Sequence, residues 1–270
     1  MWVPTPFHHR IFAHEGGDAL ASRLRVLPQT VEEVGVGCLH PQSSDVINRV
    51  RADSRFKFLA VGKWERRKGW DVMLRAWCAA FPVPSSGEQS REVLLVRTAS
   101  YHSSSDFNAL IDAELSHANG GRGRAACAAI ELLPPLSTDE MKQLYSNVQA
   151  FISTSHGEGW GRPLAEAAAA GCPVISTDWS GPTAFLTNAT ATLIPVRGLQ
   201  PVGEGAFFDH LWARIDVDDV RYALLSVRHN EQEAKEKAAA AQADMGIRFG
   251  ASAVGRELAL LLEEAVQAQS

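Results

Sequence analysis

The stretch from Gln149 to Thr177, QAFISTSHGEGWGRPLAEAAAAGCPVIST, limits what this chain can fold into more than any other. In order it spells a strand, a glycine-punctuated loop, a short helix, a tight turn and a second strand. Ala150 to Ser153 and Val174 to Thr177 are apolar runs of strand length with β-branched members. Between them Pro163 suits the first helical position, where its missing N–H matters least, while Gly171 and Pro173 supply a stop. The pattern is a βαβ unit, so the expected class is α/β, a parallel sheet with helices on both faces.

The helix of that unit, Pro163 to Ala170, reads PLAEAAAA and has almost no polar face, which predicts packing on the sheet all round. Glu166 is its one charge. A buried carboxylate costs on the order of several kcal/mol unless something pairs with it. Glu158 stands earlier by seven intervening residues, in the loop at the carboxyl end of the preceding strand, where open α/β sheets bind ligands. Gly157, Gly159 and Gly161 let that loop bring backbone N–H groups close to a ligand, and the helix N-terminus behind them favours negative charge. Two carboxylates that accept from sugar hydroxyls, beside amides that donate to phosphate, would suit a nucleotide-sugar. A plainer reading stands beside it. Glu166 would complement the helix dipole for about 0.3–1 kcal/mol, and glycine-rich βα loops occur in many folds.

The wording of the stretch goes further than its spacing. EGWGRPLAEAAAAGCPVISTDWSGPTAFL resembles the signature of the retaining glycosyltransferases of family 4 (group 1), two-domain enzymes of the GT-B fold whose carboxyl-terminal domain carries a Glu, seven residues, Glu motif. The resemblance covers most of the chain and is densest here and at VGKWERRKGWDVMLRAW. It implies a single GT-B half, a Rossmann-like sheet with linker elements before it and carboxyl-terminal helices after it. Residue by residue, it implies that Lys63 and Lys68 bind the donor diphosphate and stabilise charge on the leaving group. It further implies that Gly159, Trp160 and Gly161 cradle sugar and phosphate, that Glu158 holds hydroxyls of the transferring sugar, and that Glu166 holds those of the ribose. Leu133 to Leu136 would offer backbone contacts to the base. The implied reaction is transfer of a hexosyl group with retention, from a nucleoside-diphosphate sugar as co-substrate, with no cofactor and no bound metal.

The basic turn also has a reading of its own. FKFLAV, Phe56 to Val61, predicts a buried strand, and an apolar-periodic helix follows from Trp70 to Phe81 with Met73, Leu74 and Trp77 inside. Lys63, Arg66, Arg67 and Lys68 therefore crowd the amino-terminal side of a helix, where the dipole disfavours cations. An anionic ligand would relieve that conflict. Arg66 and Arg67 read equally well as solvated side chains. In the family the first basic position is more usually Arg, so Lys63 keeps the charge and loses the fork geometry.

Residues 1–50 read as the remnant of an amino-terminal domain with the interdomain linker, and residues 51–270 as the nucleotide-sugar-binding domain. VPTPFHHRIFAHEGG leads into a short helix, Leu24 to Leu27 is a candidate strand stopped by Pro28, and TVEEVGVGCLHP resembles the family's linker, with Glu32 or Glu33 and Leu39 in place of the usual residues. Adjacent His8 and His9 do not face one site, so a solvated linker is preferred to a metal site. The resemblance places the acceptor pocket on a separate amino-terminal domain. The expected function is thus the donor-binding half of a glycosyltransferase. The alternative is a non-catalytic nucleotide-sugar-binding or interaction module.

Elsewhere, PSSGEQSR reads as a loop, Val93 to Thr98 and Ile130 to Leu133 as strands, and Phe107 to His117 as a helix. Ser137 and Glu140 spell a capping box for a helix through Ser146. Arg122 and Arg124, in NGGRGR, read as a solvated loop. His156 is either a ligand contact or an ordinary loop residue. Ser180 is a good N-cap, and Pro195 gives Leu193 to Val196 an edge position. Arg197 to Trp212 has no assignment. Asp216-Val217-Asp218 has the spelling of a metal-binding DxD, but it heads a helical run and reads more simply as helix charge. Helices over Asn230 to Met245 and Ser252 to Gln267 follow, and the LALLLEEAV face of the second needs a surface to cover.

A formal net charge of −5 over 270 residues leaves no nucleic-acid footprint. No apolar run approaches the ~18–20 residues of a spanning helix, and MWVPTPFHHR lacks the features of a signal peptide. Cys38, Cys78, Cys127 and Cys172 form no CxxC pair. They read as reduced thiols in a cytoplasmic protein.

Overall fold

The computed structural model describes residues 1–32, 44–83, 90–100, 106–118, 121, 123–203 and 208–267. The chain opens with strand β1 (Trp2–Val3), helix α1 (Pro6–Ala21) and strand β2 (Arg25–Val26), which pairs parallel to β1. Thr5 caps α1 by accepting the His8 N–H, and Pro6 sits in its first turn. The side chains of α1 are not buried, and Phe7 rests edge-on against Trp179 at 5.0 Å. Glu33, Leu39, Cys38 and Arg122 lie outside the described residues, as do most of PSSGEQSR and half of NGGRGR. Glu32 forms an ion pair with Lys142.

Helix α2 (Asp45–Ala52) leads into the sheet. Its strands are β3 (Phe56–Trp64), β4 (Glu92–Ser100), β5 (Ala129–Leu132), β6 (Ala150–Ser153), β7 (Val174–Thr177) and β8 (Thr192–Ile194). All pair in parallel, in the order β5-β4-β3-β6-β7-β8. The crossovers carry α3 (Trp70–Ala80), α4 (Phe107–Ala118), α5 (Thr138–Ser146) and α6 (Arg162–Ala169). This is the Rossmann-like α/β architecture expected, and β8 holds the edge that Pro195 implied.

Alternation along the strands decides which face each residue covers. Phe58, Leu94, Val96 and Ile152 join one cluster with Trp77 and Leu74 of α3. Leu59, Val93, Leu95 and Phe151 join the other with Leu164 and Ala168 of α6 and Tyr145 of α5. Both faces are therefore covered. Burying side chains such as Phe58, Leu59, Leu94 and Phe151 fully, at about 1.5–3 kcal/mol each, is what holds the layers together.

The unassigned tract from Arg197 to Trp212 contains two three-residue strands, β9 (Leu199–Pro201) and β10 (Leu211–Ala213), paired antiparallel. Elements so short leave no periodicity to read. Helices α7 (Val217–His229), α8 (Glu231–Phe249) and α9 (Ala251–Gln267) close the chain. Asp216 and Asp218 flank the start of α7 as helix charges. The apolar face of α9 is only partly covered, with Val254 and Leu261 buried and Leu260, Leu262 and Val266 exposed.

Three sequence expectations are corrected. Cys78 and Cys127 are not separate reduced thiols but form a disulfide. An antiparallel bridge between Pro82 and Cys127 brings the end of α3 beside the approach to β5, a proximity hidden by 49 residues of separation. Ser180 does not cap the following 3₁₀ turn, Gly181–Ala184, with its side chain. Finally, α6 is not packed all round, because Arg162 is exposed and Pro163 and Glu166 are only partly buried.

Candidate functional site

The sheet order reverses between β3 and β6, and the crevice beyond the carboxyl ends of those two strands is where open α/β sheets take ligands. On one side β3 runs out through Lys63 and Trp64 into the 3₁₀ turn Arg66–Lys68. On the other, β6 runs into the glycine loop of residues 157–161. Backbone and hydroxyl contacts stitch the two together. His156 N–H donates to the Arg67 carbonyl at 2.8 Å, and the Thr154 hydroxyl donates to the carbonyls of Lys68 and Gly69 at 3.1 and 3.0 Å. Gly69 is obligatory there: its φ is +66°, and a Cβ would stand 2.3 Å from the Thr154 carbonyl oxygen.

At this junction Lys68 Nζ donates to Glu158 Oε1 at 2.5 Å, and Arg67 Nη1 lies 3.1 Å from Glu158 Oε2. The side chains of Lys68 and Glu158 are 15% and 11% exposed, so the pair is largely withdrawn from water. Burial pushes the Glu158 carboxyl up, but the charges of Lys68 and Arg67 outweigh it and hold it below the usual carboxylate range. Arg67 is held further by Glu65 at 2.6 Å and by the Gly157 carbonyl at 2.5 Å.

The backbone of Glu158 is fixed from the next loop along. Its N–H donates to Ser180 Oγ at 2.8 Å, and its carbonyl accepts the Gly181 N–H at 3.0 Å. Ser180 has φ +62°, the left-handed region that favours glycine. At Gly181 a Cβ would lie 2.2 Å from the Gly159 carbonyl oxygen, so no other residue fits under the loop. The hydroxyl expected to cap a helix instead holds the motif loop.

Glu166 sits on α6 with its side chain 39% exposed, receiving the Tyr145 hydroxyl at 3.1 Å and lying 3.4 Å from Arg162. Burial and the neighbouring Glu166 carboxylate push the Tyr145 phenol well above its ordinary value, so it remains a donor. A cleft of about 490 Å³ joins Lys63, Lys68, Arg67, Tyr145, Glu166 and Arg97 of β4. Sequence reasoning missed Arg97 and Tyr145. Arg97 follows the apolar run of β4, Tyr145 stands near the end of the largely polar α5, and no motif marks either.

Other expected residues lie differently. Trp160 is 3% exposed, packs its ring on Phe185 and Phe249, and borders an adjoining cavity of about 750 Å³. Leu133 is partly buried and spends its N–H on the Val96 carbonyl at 2.8 Å. Gly159 and Gly161 frame the start of α6, with Gly161 at its N-cap. His156 is buried, with Nδ1 2.7 Å from the Ala213 carbonyl and its ring stacked on Trp212. Among the described residues no group of three or more metal-ligating side chains converges, and no helix is long and apolar enough to cross a membrane.

The family model for group 1 glycosyl transferases matches residues 55–201, more than half of the chain. No curated protein matches in sequence. Among solved structures, HepE from Anabaena in complex with UDP and glucose aligns with a TM-score of 0.73 at 15% identity, covering 97% of this chain and 62% of that one. Sucrose-phosphate synthase from Thermosynechococcus elongatus aligns with a TM-score of 0.69 at 16% identity, covering 99% and 58%. The carboxyl-terminal domain of LpcC, a group 1 family protein from Francisella tularensis, aligns with a TM-score of 0.56 at 13% identity, covering 77% and 95%. The chain thus spans about three fifths of the first two structures, and the likeness to all three is one of fold.

Proposed function

Because the chain belongs to the group 1 glycosyl transferases, we propose that it is the donor-binding half of a GT-B enzyme of family 4. Such an enzyme transfers a hexosyl group from a nucleoside-diphosphate sugar with retention. The observation that carries this reading is the meeting of Lys68 and Glu158, from loops after different strands, at the sheet's switch point. Lys63 and Lys68 would meet the diphosphate and offset charge on the leaving group, so the reaction needs no bound metal. Removing one such stabilising group typically costs on the order of 10²–10³ in rate.

Glu158 would accept from hydroxyls of the transferring sugar. Glu166, held by Tyr145, would accept from the ribose. The backbone of residues 159–161 would cradle sugar and phosphate, and the Leu133 segment would border the base. The acceptor site would belong to a separate amino-terminal domain, with residues 1–50 forming its exit and linker and residues 51–270 forming the donor domain. A cytoplasmic location goes with this reading, and the Cys78–Cys127 bond is the feature to check against it, since such compartments keep most thiols reduced.

HepE was solved with UDP and glucose, so UDP-glucose is the first ligand to titrate, followed by other nucleotide-sugars. Calorimetry should show that Lys68→Ala weakens binding at least tenfold. Arg124→Ala, whose guanidinium pairs with Asp112 at 2.9 Å, should change nothing. Equal effects of the two substitutions would remove the basic turn from the site. Binding without transfer or hydrolysis, with every candidate partner domain supplied, would favour the non-catalytic module.

A further inference from the structure

The donor reading gives no task to Arg97, a charged side chain lining the cleft. Arg97 lies on β4, and the parallel register sets it beside Val61 and sets Ala99 beside Lys63. Side chains alternate along a strand, and Val61, Lys63, Arg97 and Ala99 all border the cleft of about 490 Å³. Ala99 is small and leaves the space between the two cations open.

The neighbouring charges already have partners. Lys68 is held by Glu158, and Arg67 by Glu65 and Glu158. Arg97 donates from Nη1 to the carbonyl of adjacent Thr98 at 2.6 Å. Its Nε is buried with no hydrogen-bond partner, and among the described residues it forms no ion pair. A guanidinium cannot shed its proton in a protein. A partly buried charge with no counter-charge is unfavourable, so an anion is what this position lacks.

We infer that Arg97 binds a phosphate oxygen of the donor's diphosphate, a third cationic contact supplied by β4 beside those from the turn after β3. The inference rests on the donor-site reading given above. It differs from a structural role in one respect: the contact that repays the buried charge forms only with ligand, so the free protein should be less stable for having Arg97.

The experiment pairs melting with calorimetry on wild type, Arg97→Met and Arg97→Lys. Arg97→Met should raise the melting temperature of the free protein by about 2 °C or more. It should weaken UDP binding about tenfold to a hundredfold, the loss of a charge-assisted contact. Arg97→Lys should recover part of that affinity by keeping the charge without the planar fork. Uridine, which carries no phosphate, should bind the three proteins alike. A lower melting temperature for Arg97→Met would make the residue structural and overturn the inference, as would unchanged UDP affinity. A loss as large for uridine as for UDP would assign Arg97 to the base. If wild type binds no nucleotide at all, the donor reading falls. The melting arm, repeated with inorganic pyrophosphate as ligand, still decides whether Arg97 awaits an oxyanion.

Discussion

The Lys68–Glu158 pair makes a prediction that needs no knowledge of the substrate. Unit charges 4 Å apart attract by about 4 kcal/mol at an effective dielectric constant of about 20, and desolvation of the two groups offsets much of that. What is measurable is the loss when one partner is removed, about 3–5 kcal/mol for a fully buried pair. Both side chains keep a little access to water, so Glu158→Gln should cost about 3 kcal/mol, the low end of that range. That substitution strands Lys68 and also takes the carboxylate from Arg67. Lys68→Met leaves Glu158 beside Arg67 at 3.1 Å and should cost less, about 1–2 kcal/mol. The double variant should be less damaged than the sum of the two by about 1–2 kcal/mol, because no charge is then stranded. Urea unfolding of the four proteins at neutral pH measures the cycle. Additivity within about 0.5 kcal/mol, or a larger cost for Lys68→Met, would refute the pairing. The pH dependence follows from the same geometry. Because the folded-state carboxyl is held below its ordinary 4.5, its contribution is present above that value and is lost as pH falls through the depressed one. The gap between wild type and Glu158→Gln should therefore close in acid.

Gly181→Ala places a Cβ 2.2 Å from the Gly159 carbonyl oxygen. The loop must move, with about 1–3 kcal/mol of destabilisation in a thermal melt and weaker nucleotide-sugar binding in calorimetry. Non-reducing peptide mapping should recover a cross-linked Cys78–Cys127 peptide, and Cys78→Ser should cost about 2–4 kcal/mol. Cys172, buried with its thiol pushed up to about 12, should resist iodoacetamide until the protein unfolds. His156 titrates the other way from an ion-paired histidine. Burial lowers its folded value below 6.5, so the unfolded chain takes up more protons. Stability should fall as pH drops below about 6.5, and His156→Asn should flatten that slope.

The legible parts of this molecule were those written into local sequence. FKFLAV and the Ser137–Glu140 box formed as read, and the PLAEAAAA helix formed though without the all-round packing expected of it, because apolar runs, alanine propensity and reciprocal capping act within a few residues. Glu166, Lys63 and Lys68 could be singled out because a charge on an apolar helix, or cations at a helix N-terminus, break a local rule, and Glu158 because it stands in a glycine loop at the carboxyl end of a strand. What stayed hidden required distance. Cys78 meets Cys127 only after the crossover is folded, and Ser180 serves Glu158 only because two loops cross at Gly181. The core role of the Trp160 ring was not legible either, since it packs on Phe185 and Phe249 from other elements while its backbone belongs to the glycine loop. Arg97 reads as a stray charge in LLVRTAS until the strand register sets it beside Val61.

The pairing of the sheet is uneven. β3 and β4 are joined over nine residue pairs, Phe56↔Glu92 through Trp64↔Ser100, whereas β3 meets β6 at only Phe58↔Ala150 and Leu59↔Phe151. The molecule therefore has a seam down its middle, and the cleft lies over it. Amides in the long ladder should exchange with deuterium only through global unfolding, while those beside the seam, such as Gln149 N–H on the Lys57 carbonyl, should exchange through smaller openings. A ligand reaching from Lys68 to Glu166 would act as a staple across that seam, slowing exchange in both halves at once.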